Sequence, residues 1–207
     1  MISIIDCGMG NLGSVKNMLK HIGVESEIIS TPSDIITAKK IILPGVGSWD
    51  NGVKKLHESG LLEALNNRVL RDKVPVLGIC LGMQLLLESS EEGSLPGLGW
   101  IEGTVNKFDF SDDSFKNMKL RVPHMGWNVI ETNKASYLTD DLVGETRYYF
   151  VHSYHAVVTH QSDALMTCNY GYPFTCAVQK DNIWGTQFHP EKSHKFGMAL
   201  MKKFAEI

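Results

Sequence analysis

Apolar residues run continuously in the first part of this chain and alternate with polar ones in the second. Ile2 to Ile5, Lys40 to Leu43 and the run from Val74 to Ile79 are too short for helices and predict buried strands. Val24 to Ile29 reads as a further strand. Between them, Leu12, Val15, Met18 and Leu19 mark one face of a helix, Pro32 to Ala38 a short helix, and Asp50 to Asn67 a longer one. Strands alternating with helices imply a parallel sheet covered on both faces. After Glu88 the pattern changes. Ser89 to Gly99 is a loop, and Gly103 to Phe108, Trp127 to Ile130, Arg147 to Val151, Ala156 to Thr159, Ala164 to Asn169, Thr175 to Gln179 and Ile183 to Phe188 follow as strands with few helices, as in antiparallel meanders. Asp109 to Asn117 is a polar surface loop, and Phe196 to Ala205 is the last helix. The fold class is therefore α/β, a single domain over residues 1–207 with a mixed central sheet, parallel in its first half and antiparallel in its addition.

One stretch breaks the simple pattern. Val74-Pro75-Val76-Leu77-Gly78-Ile79-Cys80-Leu81-Gly82-Met83-Gln84 turns sharply from strand to a segment with helical spacing, and Cys80 sits at the corner. Glycines two residues before and two after it keep a crowded turn free of side chains, the form of a nucleophile elbow. The helix N-terminus that follows favours thiolate over thiol, and the backbone N–H of Leu81 is placed to meet a developing oxyanion. A buried cysteine packed as a small hydrophobe is the competing explanation, and a base decides between them.

The base comes from Ile183-Trp184-Gly185-Thr186-Gln187-Phe188-His189-Pro190-Glu191-Lys192. Pro190 biases His189 toward an extended conformation, so residues 189 and 191 project to the same side and the Glu191 carboxylate reaches the imidazole. Cys80, His189 and Glu191 then form a triad in which His189 takes the thiol proton and Glu191 fixes its tautomer. Pro44-Gly45-Val46-Gly47 ends the third strand. Two glycines around one peptide unit let a backbone N–H turn toward a substrate carbonyl, though an ordinary loop has the same composition.

Composition narrows the setting. With 43% hydrophobic residues in 207, one sizeable core is affordable, and a net charge of −3 supplies no general attraction to nucleic acid. No segment has the length of a membrane span and no signal peptide is evident, so a cytoplasmic location is expected. Cys7, Cys80, Cys168 and Cys176 form no Cys-x-x-Cys pair, which argues against a disulfide framework. Gly8-Met9-Gly10 lacks the third glycine of a dinucleotide fingerprint, and His124 has no partner at ligand spacing; no cofactor and no metal are expected.

The segments Gly78 to Gln84 and His189-Pro190-Glu191 resemble the class I, triad-type glutamine amidotransferases. Asp6-Cys7-Gly8-Met9-Gly10-Asn11-Leu12, Pro44 to Gly47 and Val122-Pro123-His124-Met125-Gly126-Trp127-Asn128 are similar to the glutaminase-subunit branch that serves imidazole glycerol phosphate synthase. The resemblance covers residues 2 to 204. It implies that L-glutamine is hydrolysed at Cys80, that Val46 and Gly47 join Leu81 as oxyanion donors, and that Gln84, Ser153 and Tyr154 hold the glutamine. It also implies a heterodimer with a (β/α)8-barrel synthase that uses the ammonia in histidine biosynthesis. Asn11, Trp127 and Lys192, on loops at the Cys80 end of the sheet, are expected to face that partner. For Trp127 a cap on the core is the equal alternative.

Cys7 stands where tyrosine is common in the branch, and Gly13 where arginine is common. Gly45 to Gly52 and Glu191 to Gly197 also resemble paralogues that supply ammonia for amidination of a sugar in surface-polysaccharide biosynthesis, so a sugar is the alternative acceptor. An inactive scaffold has no need of all three triad residues. A stand-alone hydrolase has no need of the Pro123 to Trp127 stretch.

Overall fold

Four short strands, β1 (Ile2–Ile5), β2 (Ser26–Ile29), β3 (Ile41–Gly45) and β4 (Val76–Cys80), lie parallel in the order β2-β1-β3-β4 in the computed structural model, which describes residues 1–140, 142 and 144–207. Every residue of β1, β3 and β4 is buried, as expected of a sheet covered on both faces. Alternate side chains divide between two cores. Ile41, Leu43 and Val76 pack toward α2 (Pro32–Thr37), α3 (Trp49–Glu58) and α4 (Leu62–Asn66). Ile42, Leu77 and Ile79 pack toward α1 (Leu12–His21) and, through Leu200, Met201 and Phe204, toward α6 (His194–Glu206).

Two helices differ from expectation. The single helix expected over Asp50 to Asn67 is broken into α3 and α4, because Gly60 takes φ +72° after Ser59 and ends the first in a left-handed cap. After Cys80 the helix is one turn only, α5 (Leu81–Gln84). Leu85, Leu86 and Leu87 are buried, and their carbonyls accept from Leu98, Ile101 and Gly99 of the loop beyond, so the chain leaves helical bonding there.

The second half adds β5 (Ser89–Ser90), β6 (Gly103–Lys107), β7 (His124–Thr132), β8 (Arg147–His152), β9 (Tyr154–Val158), β10 (Ala164–Tyr170), β11 (Tyr172–Lys180) and β12 (Ile183–Thr186). Strand β12 lies parallel to β4, and β11, β10, β7 and β8 follow antiparallel. The stretch Ser89 to Gly99 is thus not all loop, since β5 pairs with β6. Strand β7 extends the strand expected at Trp127 to Ile130 in both directions, so Trp127 lies within a strand and the expectation that it sits on a loop is corrected. The Asp109 to Asn117 loop carries a 3-10 turn, and its Phe110 and Phe115 pack on Tyr170 and Tyr172.

One junction matters for the site. Along a single edge, β11 pairs with β12 through residues 177–180 and with β9 through Thr175, so the sheet forks there. Strands β8 and β9 meet at Ser153, where the chain passes from one branch to the other.

Candidate active site

The fork opens a cavity of about 380 Å³ at the carboxyl ends of β3 and β4, the usual place for a ligand in an open α/β sheet. Nine of the residues singled out from the sequence line it: Val46, Gly47, Cys80, Leu81, Gln84, Ser153, Tyr154, His189 and Lys192. Glu191 stands directly behind His189.

Cys80 has φ +54° and ψ −112°, a left-handed conformation that a side chain disfavours. Its neighbours leave no other course. A Cβ on Gly82 would overlap the Leu43 carbonyl oxygen, one on Gly78 would lie 2.6 Å from the Gly82 oxygen, and one on Gly45 would lie 2.7 Å from the Gly82 nitrogen. The three glycines let β3, β4 and α5 close on one another, and that closure lifts Cys80 out of the sheet.

His189 is 3% exposed, and its Nδ1 lies 2.7 Å from Glu191 Oε1. The contact expected from an extended chain is made, but across a 3-10 turn over Pro190–Lys192, since β12 ends at Thr186. Burial pulls the His189 pKa down, while hydrogen bonding and charge from Cys80 and Glu191 more than reverse this and set it at about 9. The imidazole therefore sits between a sulfur and a carboxylate, both of which favour its charged form. The other cysteines are poor nucleophile candidates: burial pushes Cys7 up to about 11, Cys168 up to about 12 and Cys176 well above the ordinary thiol range.

Gln84 is buried, and its Nε2 donates to Tyr154 O at 3.2 Å and to Gln187 Oε1 at 3.0 Å, so both of its N–H groups already have partners. Gly47 has φ +112°, which demands glycine although there is space for a side chain. Two expected partner residues stand outside the cavity. Asn11 is exposed after β1, where its Oδ1 accepts from Ser14 N and caps α1. Trp127, 43% exposed, stacks on His194 at 5.5 Å and meets the Tyr149 ring at 6.3 Å. Lys192 Nζ lies over that same Tyr149 ring, so Trp127 connects to the cavity rim through one side chain.

Glu92 was not singled out, although it lines the cavity with Oε2 accepting from Trp49 N at 2.8 Å. With Lys192 it gives the mouth one negative and one positive charge, a match for an amino acid's two charged ends. Gln187, also not singled out, donates from Nε2 to Cys80 Sγ at 3.8 Å. His124 and His152 are buried with Nδ1 to Nε2 at 3.0 Å, and burial lowers their pKa values to about 4 and about 3. Among the described residues no three His, Cys, Asp or Glu side chains gather as for a metal, and no helix is long and apolar enough to cross a membrane.

Residues 3–207 match the family model for glutamine amidotransferase class-I. The imidazole glycerol phosphate synthase subunit HisH 2 of Methanococcus maripaludis is 52% identical, over 99% of this chain and 98% of that one. The chloroplastic imidazole glycerol phosphate synthase hisHF of Arabidopsis thaliana is 41% identical, over 99% of this chain but 34% of that one. A solved glutamine amidotransferase from Thermotoga maritima shares the fold, with a TM-score of 0.62 at 18% identity over 99% of this chain and 80% of that one.

Proposed function

The chain belongs to the class-I glutamine amidotransferase family, and on that premise we propose that it hydrolyses the carboxamide of L-glutamine at Cys80 and delivers the ammonia to a synthase subunit of histidine biosynthesis. The observation that carries this reading is Cys80 at a strained turn, beside an imidazole that Glu191 holds at 2.7 Å, in one cavity. The Cys80 sulfur attacks the amide carbon and His189 gives a proton to the departing nitrogen, which leaves as ammonia. Water then attacks the γ-glutamyl thioester, His189 takes its proton, and the thiolate leaves to free glutamate. The N–H groups at Leu81 and at the Val46–Gly47 peptide receive the oxyanion in both steps. Glu92 takes the α-ammonium end and Lys192 the α-carboxylate, with Ser153 and Tyr154 along the wall.

The partner reading draws on two names. The Methanococcus relative is called a synthase subunit, and the Arabidopsis relative, of which this chain covers 34%, is called a synthase. A second unit, of barrel type by family resemblance, receives ammonia directly, since ammonia released into water at neutral pH is protonated and lost as a nucleophile. None of the relatives named above is called a sugar-amidinating protein, so the comparisons add nothing to the resemblance of Gly45 to Gly52 and Glu191 to Gly197 on which the surface-polysaccharide alternative stands.

The test compares glutamate release by the free chain with release by the complex carrying the synthase's ribotide. We expect the free chain to be slow, because the Val46–Gly47 peptide lies between two glycine positions and is held as an oxyanion donor only once the synthase docks; without that donor the barrier rises by on the order of 3 kcal/mol. The Cys80→Ala complex should lose glutamine-dependent synthesis and keep synthesis from ammonium salt at alkaline pH. Retained glutamine-dependent synthesis in that variant rejects Cys80 as nucleophile.

A further inference from the structure

A single backbone carbonyl fixes the direction of a chain of side chains that ends on the nucleophile. Tyr154 O lies 3.2 Å from Gln84 Nε2 and 2.7 Å from His152 Nδ1. A carbonyl has no proton to give, so both groups facing it must be donors. On the glutamine side, the nitrogen of Gln84 is thereby assigned, and the Gln187 atom 3.0 Å from it must be the amide oxygen. That choice turns the Gln187 nitrogen toward Cys80, 3.8 Å from Sγ. On the histidine side, His152 carries its proton on Nδ1, its Nε2 accepts, and His124 Nδ1 supplies the N–H.

Gln187 is fully buried and its backbone N–H donates to Cys176 O at 2.8 Å. It stands behind the sulfur and is not among the residues that line the cavity. A group so placed touches the reacting atom without touching glutamine. Its N–H bonds a charged sulfur more strongly than a neutral thiol or a thioester.

We propose that Gln187 is a hydrogen-bond donor to the Cys80 sulfur that favours the thiolate and aims it at the cavity, with Gln84 locking the amide in its donating direction. The proposal rests on Cys80 being the nucleophile of the reaction given above. In the first step the donor orients the attacking lone pair; in the second it stabilises the sulfur as it leaves with the electron pair of the broken C–S bond. No proton passes through it.

The experiment measures iodoacetamide alkylation of Cys80 against pH, by quantifying the labelled Cys80 peptide, in the wild-type complex and in complexes with Gln187→Met and Gln187→Glu. Removing one hydrogen bond to a charged group should slow alkylation at neutral pH about tenfold in Gln187→Met, with the alkaline plateau unchanged. Gln187→Glu keeps the size and the acceptor for Gln84 but sets a carboxylate oxygen against the sulfur, so its alkylation should be slower still. In both, kcat for glutamine should fall while KM holds. A packing role alone gives the reverse order, with Gln187→Glu nearest to wild type, and that order overturns the proposal. So do superimposable profiles in folded variants. Thermal melts check folding, and Gln187→Glu carries the test if Gln187→Met does not fold. Glutamate release by the wild-type complex is scored separately. Its absence, with the alkylation profiles still separated as expected, rejects the reaction and leaves the donor in place.

Discussion

Cys80 pays for its position with a backbone that only glycine adopts freely, φ +54° with ψ −112°. Such a residue stores roughly 1–3 kcal/mol of strain. Alanine at 80 keeps a Cβ and therefore the strain, whereas glycine releases it. Cys80→Gly should accordingly be more stable than Cys80→Ala by about 1 kcal/mol in urea unfolding, with both expected to lack glutaminase activity. Equal midpoints reject the strain. A second prediction concerns His124 and His152, whose folded pKa values of about 4 and about 3 lie below the ordinary 6.5. Below pH 6.5 the unfolded chain binds protons that the folded chain refuses, so stability should decline as pH falls from 6.5 toward 4. His124 lies stacked between Phe150 and Tyr170, and phenylalanine fits there, but His152 Nε2 then loses its donor. His124→Phe should cost about 1–2 kcal/mol at neutral pH and make the acid decline shallower. An unchanged slope in urea unfolding across that range rejects it. The residues legible from sequence, Cys80 with its glycines and His189 with Glu191, are those whose signal is local. Glu92 and Gln187 were not legible, because each reaches the site only through tertiary contact; Gln187 lies 107 positions from Cys80.

The elbow works because three elements approach closely. The carbonyl of Leu43 in β3 occupies the space that a Cβ on Gly82 would need, and the first turn of α5, at Gly82 and Met83, occupies the space that a Cβ on Gly78 of β4 would need. Gly82→Ala must push β3 away from α5, so it should destabilise the chain by about 3 kcal/mol or more and disturb Cys80. Gly60→Ala is the contrast at this scale: there is open space around the residue, and only its φ of +72° is strained. Its cost should stay near 1 kcal/mol with activity intact. Thermal melts and glutamine turnover of the two variants check this, and equal effects reject the packing argument. The parallel strands were legible as elements because continuous apolar runs mean burial on both faces. The break at Gly60 was written in Ser59-Gly60, but the amphipathic spacing on either side hid it. The early end of α5 was not written locally at all. Leu85 to Leu87 are consistent with a helix, and the loop at residues 98–101 claims their carbonyls instead.

At the scale of the molecule, the parallel half positions Cys80 and His189, and the antiparallel half builds the opposite wall from Ser153 and Tyr154 and the face beside it. Met125, Trp127 and Val129 alternate on one side of β7, opposite Val151, Tyr149 and Arg147 of β8. Met125 is 61% exposed, Trp127 43% and Val129 40%. This apolar row reaches the cavity at Val151, which lines it, and at Tyr149, over whose ring Lys192 lies, and we propose it as the face on which a synthase docks. Asn11, at the carboxyl end of β1, faces the same end of the sheet. If Trp127 anchors the partner, Trp127→Ala should weaken association by about 2 kcal/mol or more. The stability of the free chain should barely move, because the indole is half-exposed and its ring contacts among the described residues are with His194 and Tyr149. A core cap predicts the opposite pairing, a large loss of stability with affinity conserved in the folded fraction. Calorimetric titration with the synthase, alongside thermal melts of the free chain, separates these outcomes. Glutamine turnover adds the functional measure: at saturating synthase the variant should recover wild-type rates, since Trp127 lies outside the cavity and its loss removes docking rather than chemistry.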